Sequence, residues 1–319
     1  MAADGSKKVV LAAMAGNALI FLTKFAASTY TGSSAMLSEA IHSLVDTGNQ
    51  GLILYGMARA KKPADESHPF GYGMELYFWS FVVAILIFAV GAGVSMYEGI
   101  VKIQNPETIT DAYINYIVLA AAFVFEAGAW WVAMKEFRKS KGDMGYFEAV
   151  RQSKDAAVFT VLFEDTAAML GLMVAFIGIA LGEVLELPVL DGVASVIIGL
   201  ILAAVAAFLA YECKSLLVGE SASNPVVRGI RAIAEGEVGV QGVNELRTMH
   251  LGPADVLVNI SLDFGNTLSA DDIERLISKM ERDIKTAYPQ VKRLFVEAQS
   301  LTAHMADISA GTPQADSKA

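Results

Sequence analysis

Two polar runs inside long apolar segments hold the residues of this chain whose types and spacing could do chemistry. The first run, LSEAIHSLVDTGNQ, contains His42 and Asp46, and the second, VLFEDTAAMLG, contains Glu164 and Asp165. Ionisable side chains are costly at membrane depth, so they mark a pathway or a binding site there. His42 and Asp46 are four residues apart, and on a helix they therefore face the same way. An imidazole together with carboxylates from a second helix suits a divalent metal such as Zn²⁺.

Further polar residues fall near the middle of other apolar segments. Glu126 lies in FVFEAGAWW and Asn17 in the first apolar segment, at depths similar to those of Asp46 and Asp165. Transporters keep their substrate site near this midplane level. We expect Glu126 and Asn17 to form hydrogen bonds between helices rather than to be ligands. For Lys24, we expect the ammonium group to reach the outer surface along its aliphatic stem.

A carboxylate in a dry helix bundle must be neutralised by a proton or by a cation. Metal binding therefore expels protons, and protonation expels metal. A site with this property, exposed alternately to the two sides of a membrane, is a proton–metal exchanger. Glu164 neighbours Asp165 and points about 100° away from it around the helix. A ligand, a partner that supports a ligand and an interhelical contact all remain open as its role.

Composition places the chain among membrane proteins. It has 319 residues, of which 54% are hydrophobic, and the apolar residues are gathered into long spans. The net charge of −10, with no basic stripe, argues against a nucleic-acid partner. A single cysteine, Cys213, excludes a disulfide framework within the chain and a cysteine-rich metal cluster.

Six segments are long enough to cross a bilayer as helices, which takes about 20 residues. They are residues 8–30, 34–58, 74–98, 112–135, 154–181 and 191–215. Lysine and arginine are concentrated in alternate connections, which predicts that both termini lie on the cytoplasmic side. The sequence therefore predicts a transmembrane domain of six helices over residues 1–215.

From residue 216 the pattern becomes that of a small water-exposed domain. PVVRGIRAIAEG and ADDIERLISKMERDIKTAY have helical spacing, whereas VNELRTMHLG, DVLVNISLDFG and RLFVEAQS indicate strands. The order helix, strand, strand, helix, strand predicts an α+β domain over residues 216–300. Residues 301–319 are small and polar, and we expect them to be disordered. The predicted fold is thus a membrane all-α domain followed by a small cytoplasmic α+β domain.

Four motifs together resemble the cation diffusion facilitator family of divalent-metal transporters, of the zinc-transporter type. They are HSLVD, HPFGYG, LFEDTAAMLG and GPADVLVNISLDF. The resemblance implies a central site with two ligands four residues apart on the second span and two on the fifth. His42 and Asp46 match the first pair, and Asp165 matches the later member of the second. The earlier member falls on Val161, which cannot bind a metal.

The missing fourth ligand has several candidate sources. Water, Glu164, Asn49 or Glu126 could supply it. We place Asn17, Asn49 and Glu126 around the site and keep Glu164 as the weaker fourth ligand.

The resemblance implies two further metal sites, and both are weakened here. In the loop after the second span, Asp65 and His68 match as a possible secondary site, but Tyr72 stands where a later histidine would be. We favour His68 as a turn residue of HPFGYG. In the tail domain, Ser261 replaces a histidine and Glu297 is one possible surviving ligand. The tail domain is therefore expected to serve a homodimer more than metal sensing.

The function expected from these features is export of a divalent cation from the cytoplasm in exchange for protons. Zn²⁺ ranks first because imidazole and carboxylates suit it, while Mn²⁺, Fe²⁺ and Cd²⁺ stay open and no organic cofactor is expected. An enzyme is not expected, because the GxGD and HExxH runs of intramembrane hydrolases are missing. A channel and a membrane metal sensor that binds without transporting are the alternatives. A short chain without a His-rich loop leads us to expect a bacterial inner membrane.

Overall fold

The computed structural model describes residues 2–31, 34–106, 112–141, 145, 149 and 153–311. Within helices, some side chains near the end of the first apolar segment and the start of the second are outside this description, including those of Glu39 and His42. The chain divides into two compact units, Met1–Leu217 and Val218–Ala319.

The first unit is built from long helices, and each predicted span coincides with one of them. These helices are α1 (Ala2–Thr31), α2 (Ser34–Ala60), α3 (Glu75–Gln104), α4 (Ala112–Lys141), α5 (Ala156–Val184) and α6 (Val189–Val218). In the described part of the chain, five helices are long and apolar enough to cross a membrane, namely all of these except α2. Helix α2 is long enough at 27 residues, but its polar residues make it less apolar than the other five helices.

Helices α1 and α5 each pack against several other helices of this unit. Helix α1 packs against α2, α4 and α5, and α5 also packs against α3 and α4. Helix α3 contains a π-helical turn at Ile87–Ala92 and approaches α6 closely beyond it. A Cβ atom on Gly99 would lie 2.8 Å from the carbonyl oxygen of Gly192, so only glycine allows this approach.

The second unit has the predicted order of elements. It consists of α7 (Asn224–Glu235), β1 (Val240–Gly252), β2 (Asp255–Phe264), α8 (Ala270–Ala287) and β3 (Val291–Ala298). Strand β2 is central, antiparallel to β1 and parallel to β3. Apolar side chains of β2 pack with those of α7 and α8 to form the core, which includes Ile230, Val258, Ile260, Met280 and Ile284. The predicted fold class, a helical membrane domain followed by a small α+β domain, is confirmed.

The segment after β3 differs from its prediction. Residues from 301 on are predicted to be disordered, yet Leu301–Gly311 form helix α9. Ser300 begins this helix, because its Oγ accepts a hydrogen bond from the backbone N–H of Ala303 at 3.3 Å. The backbone N–H of Leu301 is also held by the Asp263 carboxylate at 3.2 Å. Residues 312–319 lie outside the described residues.

Candidate metal site

Asp165 is the most unusual polar residue of the transmembrane unit. It lies on α5 with 1% of its surface exposed, and neither carboxylate oxygen has a hydrogen-bond partner among the described residues. Asp46, Glu126 and Glu164 are close enough for their charges to act on it. A buried carboxylate with no partner is very costly as an anion, so a proton or a bound cation must neutralise it. Asp165 is therefore a candidate for binding either a proton or a metal cation.

Glu164, the neighbour of Asp165, is buried, and both of its carboxylate oxygens accept hydrogen bonds. Its Oε1 accepts a hydrogen bond from Asn49 Nδ2 at 3.3 Å, and its Oε2 accepts one from Gln50 Nε2 at 3.1 Å. Gln50 Oε1 in turn accepts a hydrogen bond from Asn17 Nδ2 at 3.4 Å. This chain of contacts ties α5 to α2 and α2 to α1. Glu164 thus holds helices together beside Asp165, which is one of the roles that the sequence leaves open.

Gln50 is the member of this network that sequence reasoning missed. It lies four residues after Asp46, on the same face of α2, and is completely buried. Its position directly after Asn49, in the run DTGNQ, was the signal available in the sequence. An uncharged amide gives little warning by itself, because amides also occur as ordinary contacts between membrane helices.

The remaining predicted central residues lie on α2 and α4. Asp46 is half-buried, and its charge acts on both Glu126 and Glu164. The backbone of His42 lies in α2, one turn before Asp46, but its side chain is outside the described residues. Among the side chains that are described, no three histidine, cysteine or acidic groups lie close enough together to hold a metal. A site made by His42, Asp46 and Asp165 stays a prediction.

Val161 and Thr166, on either side of Asp165 in the sequence, both contact other parts of the unit and hold α5 in place. Val161, one turn before Asp165, is fully buried in the apolar core, so no ligand comes from that position. The Thr166 hydroxyl accepts a hydrogen bond from the indole N–H of Trp130 on α4 at 3.0 Å. Trp130 follows Glu126 by one turn, and this contact therefore anchors the helix that carries Glu126 to the helix that carries Asp165.

Lys24 lies inside the protein, and the expectation that it reaches the outer surface is wrong. Only 5% of its surface is exposed, and its ammonium group donates a hydrogen bond to Ser43 Oγ at 3.2 Å. The ammonium group is also close enough to Glu126 for their charges to interact. The Ser43 hydroxyl and the nearby Glu126 carboxylate replace the water that a snorkelling lysine would otherwise reach.

At the possible secondary site in the loop after α2, hydrogen-bond donors of the protein already surround the Asp65 carboxylate. The Asp65 carboxylate accepts hydrogen bonds from Tyr72 Oη at 2.7 Å, from Lys62 Nζ at 2.9 Å and from the backbone N–H of His68 at 2.8 Å. The Tyr72 hydroxyl, followed by these other donors, holds the pKa of Asp65 well below its usual range. His68 Nδ1 lies 3.7 Å from Asp65, and its ring packs on Tyr72. A metal here would have to displace Lys62.

Ser261, which stands where the family resemblance implies a histidine ligand, lies in a hydrogen-bond cluster of the tail domain. Ser261 Oγ accepts from Asn244 Nδ2 at 3.3 Å and donates to Gln299 Oε1 at 3.4 Å. Gln299 Oε1 also lies 2.9 Å from His304 Nδ1. Glu297 on β3 is the register partner of Ser261 on the neighbouring strand β2. Amide and hydroxyl groups dominate this cluster, which fits a structural role.

Comparison with known proteins shows that the transmembrane part of the chain matches a known family of sequences. Residues 10–218 match the sequence model of the cation efflux transmembrane domain. The mitochondrial proton-coupled zinc antiporter SLC30A9 of Xenopus laevis is 34% identical over 89% of this chain and 52% of its own length. The same protein of Homo sapiens is 33% identical over 88% and 51%. Metal tolerance protein C4 of Arabidopsis thaliana is 24% identical over 82% and 58%. The chain thus spans about half the length of the SLC30A9 relatives that it matches.

Proposed function

The chain belongs to the cation diffusion facilitator family, and on that premise we propose that it exports a divalent cation, Zn²⁺ first, in exchange for protons. The family is one of transporters rather than of enzymes, and the chain is an integral membrane protein. The observation that carries the proposal is Asp165, whose two buried carboxylate oxygens have no hydrogen-bond partner in the described part of the chain.

Competition at Asp165 would couple the two ions. Its carboxylate would be neutralised either by a proton or by a divalent cation, because no side chain in the described part of the protein donates a hydrogen bond to it. Each cation that binds would therefore release a proton, and each proton that binds would release the cation. Asp46 and His42 on α2 are the proposed further ligands, and Glu164 holds α5 against α2 through Asn49 and Gln50.

The choice of Zn²⁺ rests on chemistry and on the relatives. An imidazole with two carboxylates is a common zinc donor set, and the relatives from Xenopus laevis and Homo sapiens are named proton-coupled zinc antiporters. Val161 removes a ligand from the position one turn before Asp165, and the same donors accept Mn²⁺, Fe²⁺ and Cd²⁺. The order of preference among these ions is therefore the sharpest property to measure.

The proposed topology has both termini on the cytoplasmic side, or its equivalent in an organelle, and the proposed assembly is a homodimer through the tail domain. The expectation of a bacterial inner membrane gains no support, since the SLC30A9 relatives are named mitochondrial. Light scattering of the detergent-solubilised protein tests the dimer, and a monomeric mass would exclude it.

Ion uptake into proteoliposomes tests the proposed function. We expect Zn²⁺ uptake that is driven by an imposed pH gradient, with Mn²⁺, Fe²⁺ and Cd²⁺ compared in parallel. Uptake indifferent to the gradient would indicate a channel. Binding of Zn²⁺ in detergent without any movement into sealed vesicles would indicate a sensor. Either result overturns the proposal.

A further inference from the structure

Helices α1 and α2 run antiparallel in a constant register that brings Lys24 to the level of the candidate site. Asn17 contacts Gln50, and Lys24 contacts Ser43. Seven residues forward along α1 thus correspond to seven residues back along α2, as in an antiparallel pair. Ser43 directly follows His42 in the sequence and precedes Asp46 by one turn. Lys24 therefore lies opposite the part of α2 that carries both predicted ligands.

Lys24 also differs from the other described basic residues in that it is buried. Among the residues that the structure describes, it is the only lysine or arginine buried in the protein interior. The charge of Lys24 interacts with that of Glu126, and the charge of Asp46 interacts with those of Glu126, Glu164 and Asp165. One positive charge thus lies near Glu126, whose carboxyl group interacts through Asp46 with those of Glu164 and Asp165. Burial of an ammonium group is costly, and the charge of Glu126 together with the Ser43 hydroxyl lowers that cost.

We propose that the Lys24 ammonium is a built-in counter-cation of this carboxylate group and that it weakens the hold of the site on a divalent cation. This inference rests on the proposed function. In the empty site the ammonium offsets part of the negative charge. When a divalent cation enters, the two positive charges repel each other across a medium of low dielectric constant. Lys24 thereby lowers affinity and favours release, which a transporter needs and a storage site does not.

Neutral replacements of Lys24 separate this role from simple packing. Lys24→Met keeps the length of the apolar stem and removes the charge, and Lys24→Gln removes the charge with a polar end. Lys24→Arg keeps the charge. Lys8→Gln is the matched control, since Lys8 is an exposed lysine of the same helix near its cytoplasmic end. All variants are studied as the full chain, with zinc as the probe.

We expect the neutral variants to bind zinc more tightly and to release it more slowly than the wild type. The dissociation constant for Zn²⁺ in detergent and the KM of uptake into proteoliposomes should fall about tenfold, within the range typical of coupling between two sites. The maximal uptake rate should fall as well, because release becomes slower. Lys24→Arg and Lys8→Gln should stay near the wild-type values.

Several outcomes would overturn the inference. Unchanged or weaker zinc binding in both neutral variants, with Asp165→Asn still abolishing it, would leave Lys24 a purely structural residue. If the wild-type chain binds no zinc, the proposed function itself fails. Should the neutral variants unfold without zinc, their thermal unfolding with zinc decides: we expect a larger stabilisation by zinc than in wild type, and an equal or smaller one contradicts the role.

Discussion

Glu164 and Asp165 are adjacent on α5, yet their carboxylates have opposite hydrogen-bonding environments. Both oxygens of Glu164 accept amide hydrogen bonds from α2, whereas neither oxygen of Asp165 has a partner in the described structure. The 100° or so between successive side chains of a helix separates them, so that one faces α2 and the other does not share its donors. Glu164 thus holds α5 to α2, whereas Asp165 is the residue that we propose binds the cation.

Asp165→Asn should separate stability from function. The amide is neutral and similar in size to the protonated carboxyl group that the metal-free site requires, so thermal unfolding of the metal-free protein should stay near the wild-type temperature. The stabilisation by zinc, worth about 2.7 kcal/mol when zinc is at 100 times its dissociation constant, should disappear. Asp191→Asn is the control, because Asp191 forms an ion pair with Lys102 at 2.8 Å at the start of α6. Full stabilisation by zinc in Asp165→Asn would exclude this residue as a ligand.

Glu164→Gln should have the reverse effect. The new amide keeps one acceptor but presents its NH₂ group to the amide donor of Asn49 or Gln50, which leaves a buried donor unsatisfied. We expect a loss of about 1–3 kcal/mol in the free energy of unfolding. The dissociation constant for zinc should change much less than in Asp165→Asn. Loss of zinc binding as complete as in that variant would make Glu164 a direct ligand.

The sequence predicts the fold well because its main signals are local. Apolar runs long enough to cross a bilayer and alternating strands keep their meaning in any tertiary context. Helix α2 is the instructive case, since its polar residues weaken the very signal that identifies a span, yet it forms a helix of 27 residues. Helix α9 escapes prediction because its cap at Ser300 is supported by Asp263, a residue distant in sequence whose carboxylate accepts a hydrogen bond from the N–H of Leu301.

The candidate site is predicted only in part, because contacts between helices decide the role of each polar residue. The sequence identifies Asp165 as buried but cannot show that its oxygens lack partners. It likewise leaves the role of Glu164 open and misses Gln50, since the facing donors come from another helix. Lys24 is placed wrongly for the same reason: its partner Ser43 lies on α2, and only the register of α1 against α2 brings the two together.

The close approach of α3 to α6 should tolerate no side chain. In Gly192→Ala, the new Cβ would lie 2.8 Å from backbone atoms of Gly99 and Ile103, and neither can move without shifting a helix. We expect a loss of about 1–3 kcal/mol, as for other overpacked positions. Gly128→Ala is the matched control on α4, where nothing lies within 4 Å of the new atom. Thermal unfolding in detergent compares the two, and equal unfolding temperatures would contradict the close contact.

The start of α8 should loosen in acid. Ser269 and Asp272 form a capping box, and hydrogen bonds from Ser269, followed by that from Arg275, lower the pKa of Asp272 to about 2. Because this pKa is lowered, its contribution to stability is complete above the ordinary aspartate value of about 3.9 and disappears as the pH falls through about 2.

Hydrogen exchange of the first turn of α8 in the full chain measures this effect. Asp272→Ala should exchange faster than wild type at pH 6, and the difference should vanish near pH 2. Asp271→Ala, the neighbouring acid outside the capping box, should match wild type at both. A difference between Asp272→Ala and wild type that persists at pH 2 would show that the cap does not depend on the ionised carboxylate.

Calorimetric titration of the full chain with Zn²⁺, in buffers that differ in ionisation enthalpy, tests the competition between metal and proton at Asp165 most directly. The difference in heat between buffers gives the number of protons released for each zinc ion bound. We predict zinc binding with proton release in wild type, and loss of both in Asp165→Asn. Zinc binding with the same heat in every buffer, or undiminished in Asp165→Asn, would contradict exchange at this carboxylate.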